Sequence, residues 1–304
     1  MTTDLTDLAA EITIDPRQAI GIPLALIGAI FLSLGAQFQH RGVNKVEATT
    51  VEATSGLNPR QLMLLLSRPS WVFGTLMLGL AIVFQLTSLG FAPIIVVQPL
   101  GAVALVITAI LNSRLTRIPL NHGSKVAIAM CVGGVGLFVT VAAFTAVDKP
   151  VTDANLITIL TVLAIVLVIF GVAFALLRSR FQAIFYIIGA GVLYGFVATL
   201  AKVVINRVRF GDFEWLTVLC VLGLGLAAAL GGYFVQNAYS SGPPDLVIAG
   251  LTVIDPLVAV GIGIVVLGET SQAPAWAAIP FAIAGVVAIW GVFLLARYHP
   301  QLDR

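Results

Sequence analysis

Asp255 and Pro256 stand side by side in the middle of the apolar stretch AGLTVIDPLVAVGIGIVVLGE (Ala249–Glu269), and Gln98 and Pro99 stand in the same way inside IIVVQPLGAVALV (Ile94–Val106). In each pair a polar side chain precedes a residue that has no N–H. Pro256 cannot donate to the carbonyl of Thr252, which loses its helical partner. Proline also pushes the residue before it away from helical angles. The chemistry on offer is binding. A carboxylate, an amide and freed carbonyls can hold a proton, a cation or a polar solute where bulk water is absent.

Such groups need elements that carry them into a low-dielectric place. The chain is 59% hydrophobic and 10% charged, whereas soluble domains are about 25% charged. Too little polar surface remains to cover a globule in water, so the solvent is lipid. Nine apolar runs are long enough to cross a bilayer: Ile20–Gln37, Trp71–Leu89, Ile94–Leu111, Val126–Val147, Leu156–Leu177, Ile184–Ile205, Leu216–Tyr239, Leu246–Leu267 and Ala275–Leu295. Lipid offers the backbone no partner, so each run is expected to be a helix. The fold class is therefore all-α and membrane-integral. Asp255 is the tenth residue of its 22-residue run, which puts it near mid-bilayer. A carboxylate there costs about 2.5–3.5 kcal/mol on insertion scales, and intramembrane acids are as a rule functional.

Positive residues favour the cytoplasmic side. Loops one/two, three/four and five/six and the C-terminus carry eleven Lys and Arg residues, among them Arg41, Lys45, Arg114 and Lys125, against four (Arg17, Lys149, Arg207 and Arg209) on the opposite side. This places the N-terminus outside and the C-terminus in the cytoplasm, in a multi-pass protein of the cell membrane. The acidic start, with Asp4, Asp7, Glu11 and Asp15, lacks the basic region of a signal peptide, so the first run is expected to be retained.

LIGAIFLSLGAQFQHRGVNK (Leu26–Lys45) resembles IIGAGVLYGFVATLAKVVIN (Ile187–Asn206), and the runs that follow correspond as well. Runs one to four echo runs six to nine, with run five as connector. An odd number of helices separates the two starts, so the halves have opposite orientation, an inverted repeat of the kind transporters use. The expected organisation is a polar tail (1–19), a first repeat (20–147), a connector (156–177), a second repeat (184–295) and a C-terminal tail (296–304). Leu57–Trp71 is too short to span and reads as an interfacial helix within the first repeat (57–70), with Asn58 as cap and Pro59 in its first turn.

Other polar residues can meet a cavity between the halves: Gln37 in run one, Gln85 in run two, and Gln236 and Asn237 in run seven, with Gln85 and Gln236 at corresponding places. Each alone is as readily interhelical glue, worth about 0.6 kcal/mol on average. Lys202 lies three residues from the end of its run; its stem can snorkel to the outer interface, or it can turn inward to Asp255 or to an anionic substrate group. Glu269 closes its run and is expected at the membrane surface. Cys131 and Cys220 lie within apolar runs and read as core. There is no phosphate-binding glycine loop, no Cys/His metal spacing, no convincing hydrolase constellation and no basic tract for nucleic acid. An enzyme is not expected, and no cofactor is called for.

GPPDLVIAGLTVIDPLVAVGIGIVVLGE (Gly242–Glu269) resembles the repeat of the drug/metabolite transporter superfamily (EamA-like), in which a proline-kinked helix ends in L-G-E. APIIVVQPLGA (Ala92–Ala102), LYGFVATLAK (Leu193–Lys202) and the nine-run count are similar to its NIPA-like branch, whose members are magnesium transporters. The resemblance implies a ten-helix inverted-repeat bundle, or nine helices with the second lost. The branch often carries an acid in its second helix, where this chain has Ile82. Mg²⁺ wants octahedral oxygens and keeps several waters, so Asp255 with the amides of Gln85, Gln98 and Gln236 is a thin metal site.

The function expected first is a secondary transporter of a small polar or amphipathic solute, with Asp255 binding a proton or a cationic group. Its site would be drawn from Asp255, Pro256, Gln98, Pro99, Gln85, Gln236, Asn237, Lys202 and Gln37. A divalent-cation transporter, with Asp255 as the metal ligand, is the alternative. A non-transporting scaffold or a lipid flippase is the further one. The partners expected are the bilayer and a small-molecule or ion substrate; a homodimer is compatible with the sequence.

Overall fold

A computed structural model describes residues 15–47, 67–117, 119–177, 183–211, 214–241 and 244–297. The segment assigned to an interfacial helix falls largely outside these residues, as do most of the N-terminal tail and the C-terminal tail. Described residues form ten α-helices and no strand: α1 (Gln18–Glu47), α2 (Pro69–Phe91), α3 (Ile94–Leu100), α4 (Ala102–Thr116), α5 (His122–Thr145), α6 (Asp153–Leu177), α7 (Ala183–Phe210), α8 (Trp215–Ser241), α9 (Pro244–Val265) and α10 (Ala278–Arg297). Eight spans are long and apolar enough to cross a membrane, with α3 and α4 counted as one (Ile94–Leu115), and the shorter apolar stretch Gly250–Val265 of α9 adds a ninth.

The two prolines act differently. After Pro99 the helix tightens at Gly101, whose N–H donates to the Gln98 carbonyl at 3.1 Å, before α4 resumes. This is a 3₁₀-type turn two residues after the proline. The expected break at Asp255–Pro256 is not a break: α9 stays helical across both residues. A transmembrane helix tolerates proline where its freed carbonyl faces protein or a cavity, and Thr252, which owns that carbonyl, lines one.

Small residues set the packing. The broad contacts are α1 with α2, α5 with α10, and α7 with both α8 and α9. A Cβ added to Gly35 would lie 2.9 Å from the Gly74 carbonyl oxygen, and one on Gly134 would lie 2.5 Å from the Ala288 nitrogen. Backbones that close leave no room for a methyl group, the usual way helices associate in lipid. The pairing order repeats along the chain. In the first half α1 meets α2, α3 and α4; in the second half α7 meets α8 and α9. The connector α6 packs on α7 and α8, and Asp153 at its start forms an ion pair with Arg207 of α7.

Candidate functional site

A cavity of about 590 Å³ lies among α1, α2, α3, α4, α7 and α9. Its walls include Gly28, Ala29, Ile82, Gln85, Gln98, Gly101, Tyr194, Thr252, Asp255 and Pro256. Most of the lining is apolar, and Asp255 is the one ionisable carboxylate in it. The side chain of Asp255 is partly buried, and its buried Oδ1 has no hydrogen-bond partner among the described residues. Gln98 is 6% exposed, held where α3 tightens into α4.

Two glycines of α7 bring α9 to this place. A Cβ on Gly191 would lie 2.7 Å from Ile254 Cβ, and one on Gly195 would lie 2.7 Å from Val258 Cβ. Tyr194, between them in sequence, turns toward the cavity. Sequence reasoning passed over Tyr194. The available signal was a tyrosine in the middle of an apolar run, away from the interfacial belts where tyrosine ordinarily sits.

A second, apolar cavity of about 90 Å³ lies against α5 and α10, lined by Pro99, Val135, Phe138, Pro256 and Ile289 among others. Pro256 and Thr252 belong to both walls. The structure thus brings Asp255, Pro256, Gln98 and Gln85 to one cavity and Pro99 to the apolar one beside it. Gln37 lies partly buried on α1 and lines neither. Gln236 is exposed on α8, and Asn237 donates to the Tyr233 carbonyl of its own helix at 2.7 Å. Pseudo-equivalence with Gln85 did not carry Gln236 inward, because α8 turns its small residues to α7 and the amide the other way.

Lys202 corrects two of its sequence readings, the snorkel and the pair with Asp255. It neither snorkels nor meets Asp255. It is 2% exposed, and its Nζ lies 2.8 Å from Asp148 Oδ1 and 3.3 Å from Glu269 Oε1 while donating to the Ala92 carbonyl at 2.9 Å. Three oxygens match the three donors of an ammonium. Glu269, expected at the surface, is 1% exposed. Gly268 adopts a left-handed φ of 66°, a region glycine enters without strain, and it turns the chain back after α9. The Glu269 carboxylate then accepts from Ile94 N at 2.8 Å and from Ile95 N at 2.9 Å. These are amides of the first turn of α3, which have no partner within the helix.

The family described as "Magnesium transporter NIPA" matches residues 17–230. The chain belongs to this family. The matched residues include Gln85, Gln98, Tyr194 and Lys202 and stop short of Asp255 and Glu269. The chain is similar to an uncharacterised protein of Corynebacterium glutamicum, 25% identical over 280 residues, which spans 91% of this chain and 95% of that one. It is also similar to the probable magnesium transporter NIPA4 of Arabidopsis thaliana, 30% identical over 114 residues, or 38% of this chain and 32% of the plant protein. No solved structure matches it. Family and spans together make it a multi-pass membrane transporter.

Ile82, where the resemblance implies an acid, lines the cavity. Among the described residues no group of three or more His, Cys, Asp or Glu side chains converges as a metal site. The polar side chains on the lining residues are the Asp255 carboxylate, the Gln85 and Gln98 amides, the Tyr194 phenol and the Thr252 hydroxyl.

Proposed function

We propose that this protein moves a cation across the cytoplasmic membrane by secondary transport, with Asp255 as the counter-charge in the central cavity. The observation that carries the reading is the unpartnered carboxylate oxygen of Asp255 in the wall of a cavity of about 590 Å³. A desolvated acid without a protein partner is costly, and a cation removes the cost. Mg²⁺ is the favoured cargo. Family membership supports it, and Mg²⁺ is commonly bound through one or two carboxylates while keeping several waters. Gln85, Gln98 and Tyr194 would then meet the water shell of the ion.

A second reading is a small organic cation, or a polar solute co-transported with a proton held on Asp255. The apolar share of the lining favours it, as does Ile82 in place of an acid. In either case residues 20–147 and 184–295 act as two inverted halves that alternate about the cavity, with the N-terminus outside and the C-terminus in the cytoplasm. The repeated order of helix pairing supports the two halves.

The test is flux. Purified protein in liposomes, given a Mg²⁺ gradient and an internal Mg²⁺ indicator, should load the lumen, and Asp255→Asn should not. Equal Mg²⁺ loading by protein-free liposomes rejects Mg²⁺. Asp255-dependent movement of a labelled organic amine in its place selects the second reading.

A further inference from the structure

We infer that Lys202, Asp148 and Glu269 are the gate that holds the central cavity shut at one end of the bundle, with Glu269 also positioning α3. This inference rests on the transport reading above. The cluster joins four separate stretches of chain. Lys202 comes from α7, Asp148 from the α5–α6 link, Glu269 from the α9–α10 link, and Ala92 from the α2–α3 link. The cluster adjoins the cavity walls: α7 also carries Tyr194, and α9, which leads into the link that holds Glu269, carries Asp255. Eight residues separate Tyr194 from Lys202, which is about 12 Å along the helix. No member of the cluster lines the cavity itself. The charges therefore lie beyond the binding residues along α7, with Lys202 and Glu269 buried at 2% and 1% exposure and Asp148 facing outward at 24%.

Charge suits a gate better than a hydrophobic plug does. Burying an ion pair carries a large desolvation cost that its attraction roughly cancels. When the end opens, water hydrates each partner and much of that cost is recovered, so the open state stays within thermal reach of the closed ground state. An apolar plug would be penalised each time it met water. Glu269 couples the gate to the site. Its carboxylate holds the first two amides of α3, and α3 carries Gln98 in the cavity wall. Moving Glu269 off Lys202 therefore frees the start of the helix that presents Gln98.

The experiment reads access and does not depend on flux. In a Cys131→Ala, Cys220→Ala background, Ala29→Cys places a reporter thiol in the cavity, and Thr152→Cys in a parallel variant marks the gate side. A membrane-impermeant maleimide is applied to right-side-out and to inside-out vesicles. Lys202→Met should raise labelling of the reporter from the marked side roughly tenfold, since the open state is a minor population until the lock is removed. Asp148→Asn should raise it less. Should the single variants fail to fold, the neutral combination Lys202→Met, Asp148→Asn, Glu269→Gln leaves no buried charge unpaired and should show the same rise. Unchanged labelling in a variant that elutes monodisperse overturns the gate, as does a rise from the unmarked side only. Failure of the transport reading would show separately, as cation flux indifferent to Asp255→Asn.

Discussion

The carbonyl oxygen of Asp255 lies 3.0 Å from the point where a Cβ on Gly195 would sit. The backbone of the one acid in the cavity thus rests directly on α7. Val258 Cβ, 2.7 Å from the same point, closes the remaining space. Neither atom is the end of a flexible side chain. Gly195→Ala must therefore push α9 off α7. The expected outcome is a loss of about 1–3 kcal/mol, typical of overpacking, read as a lower midpoint of thermal unfolding in detergent, together with impaired transport.

Asp255→Asn separates stability from function. The Oδ1 atom has no protein partner to lose, so thermal stability should stay within about 1 kcal/mol of the parent. Cation flux in liposomes should fall by roughly 30-fold or more, the effect of removing one partner from a desolvated charge pair at about 2 kcal/mol or above. A variant that transports normally would remove Asp255 from the site.

Glu269 should behave in the opposite way. Glu269→Ala strands Lys202 next to Asp148 alone and leaves two helix-end amides bare. Breaking a buried pair on one side costs about 3–5 kcal/mol, so the purified variant should unfold at a markedly lower temperature. Glu269→Gln keeps an oxygen for one of the two amides and should fall between parent and Ala. Equal loss in both would mean that charge, and not the amide contacts, sets the stability of this turn.

Gly133 and Gly134 are neighbours with opposite prospects. A Cβ on Gly133 meets nothing within 4 Å, whereas one on Gly134 would lie 2.5 Å from the Ala288 nitrogen of α10. Gly133→Ala should be neutral or stabilising by up to about 1 kcal/mol. Gly134→Ala should destabilise by about 1–3 kcal/mol. The difference between the two unfolding midpoints checks the α5–α10 crossing, since helix propensity is common to both.

The sequence alone determined the solvent, the helical class and the spans, because lipid leaves a backbone no partner outside its own helix and demands long apolar runs. It also singled out Asp255 and Gln98, since a polar residue before a mid-run proline is costly and therefore conspicuous. What lies beside a residue on another helix was decided only by tertiary packing. Gln85 and Gln236 look alike in sequence, yet only Gln85 lines the cavity. Tyr194 is marked in sequence only as a tyrosine in mid-run, and packing of α7 on α9 put it in the cavity wall. Glu269 read as a surface residue, Lys202 read as either a snorkelling or an inward residue, and nothing in the sequence marked Asp148 as their partner. Their union depends on three turns meeting at one end of the bundle, with Gly268 at a φ of 66° aiming Glu269 inward. Side chains 54 and 67 residues apart along the chain share no sequence pattern. Helix packing and the turns between helices carry them to one place, and their attraction there acts through space, not along the chain.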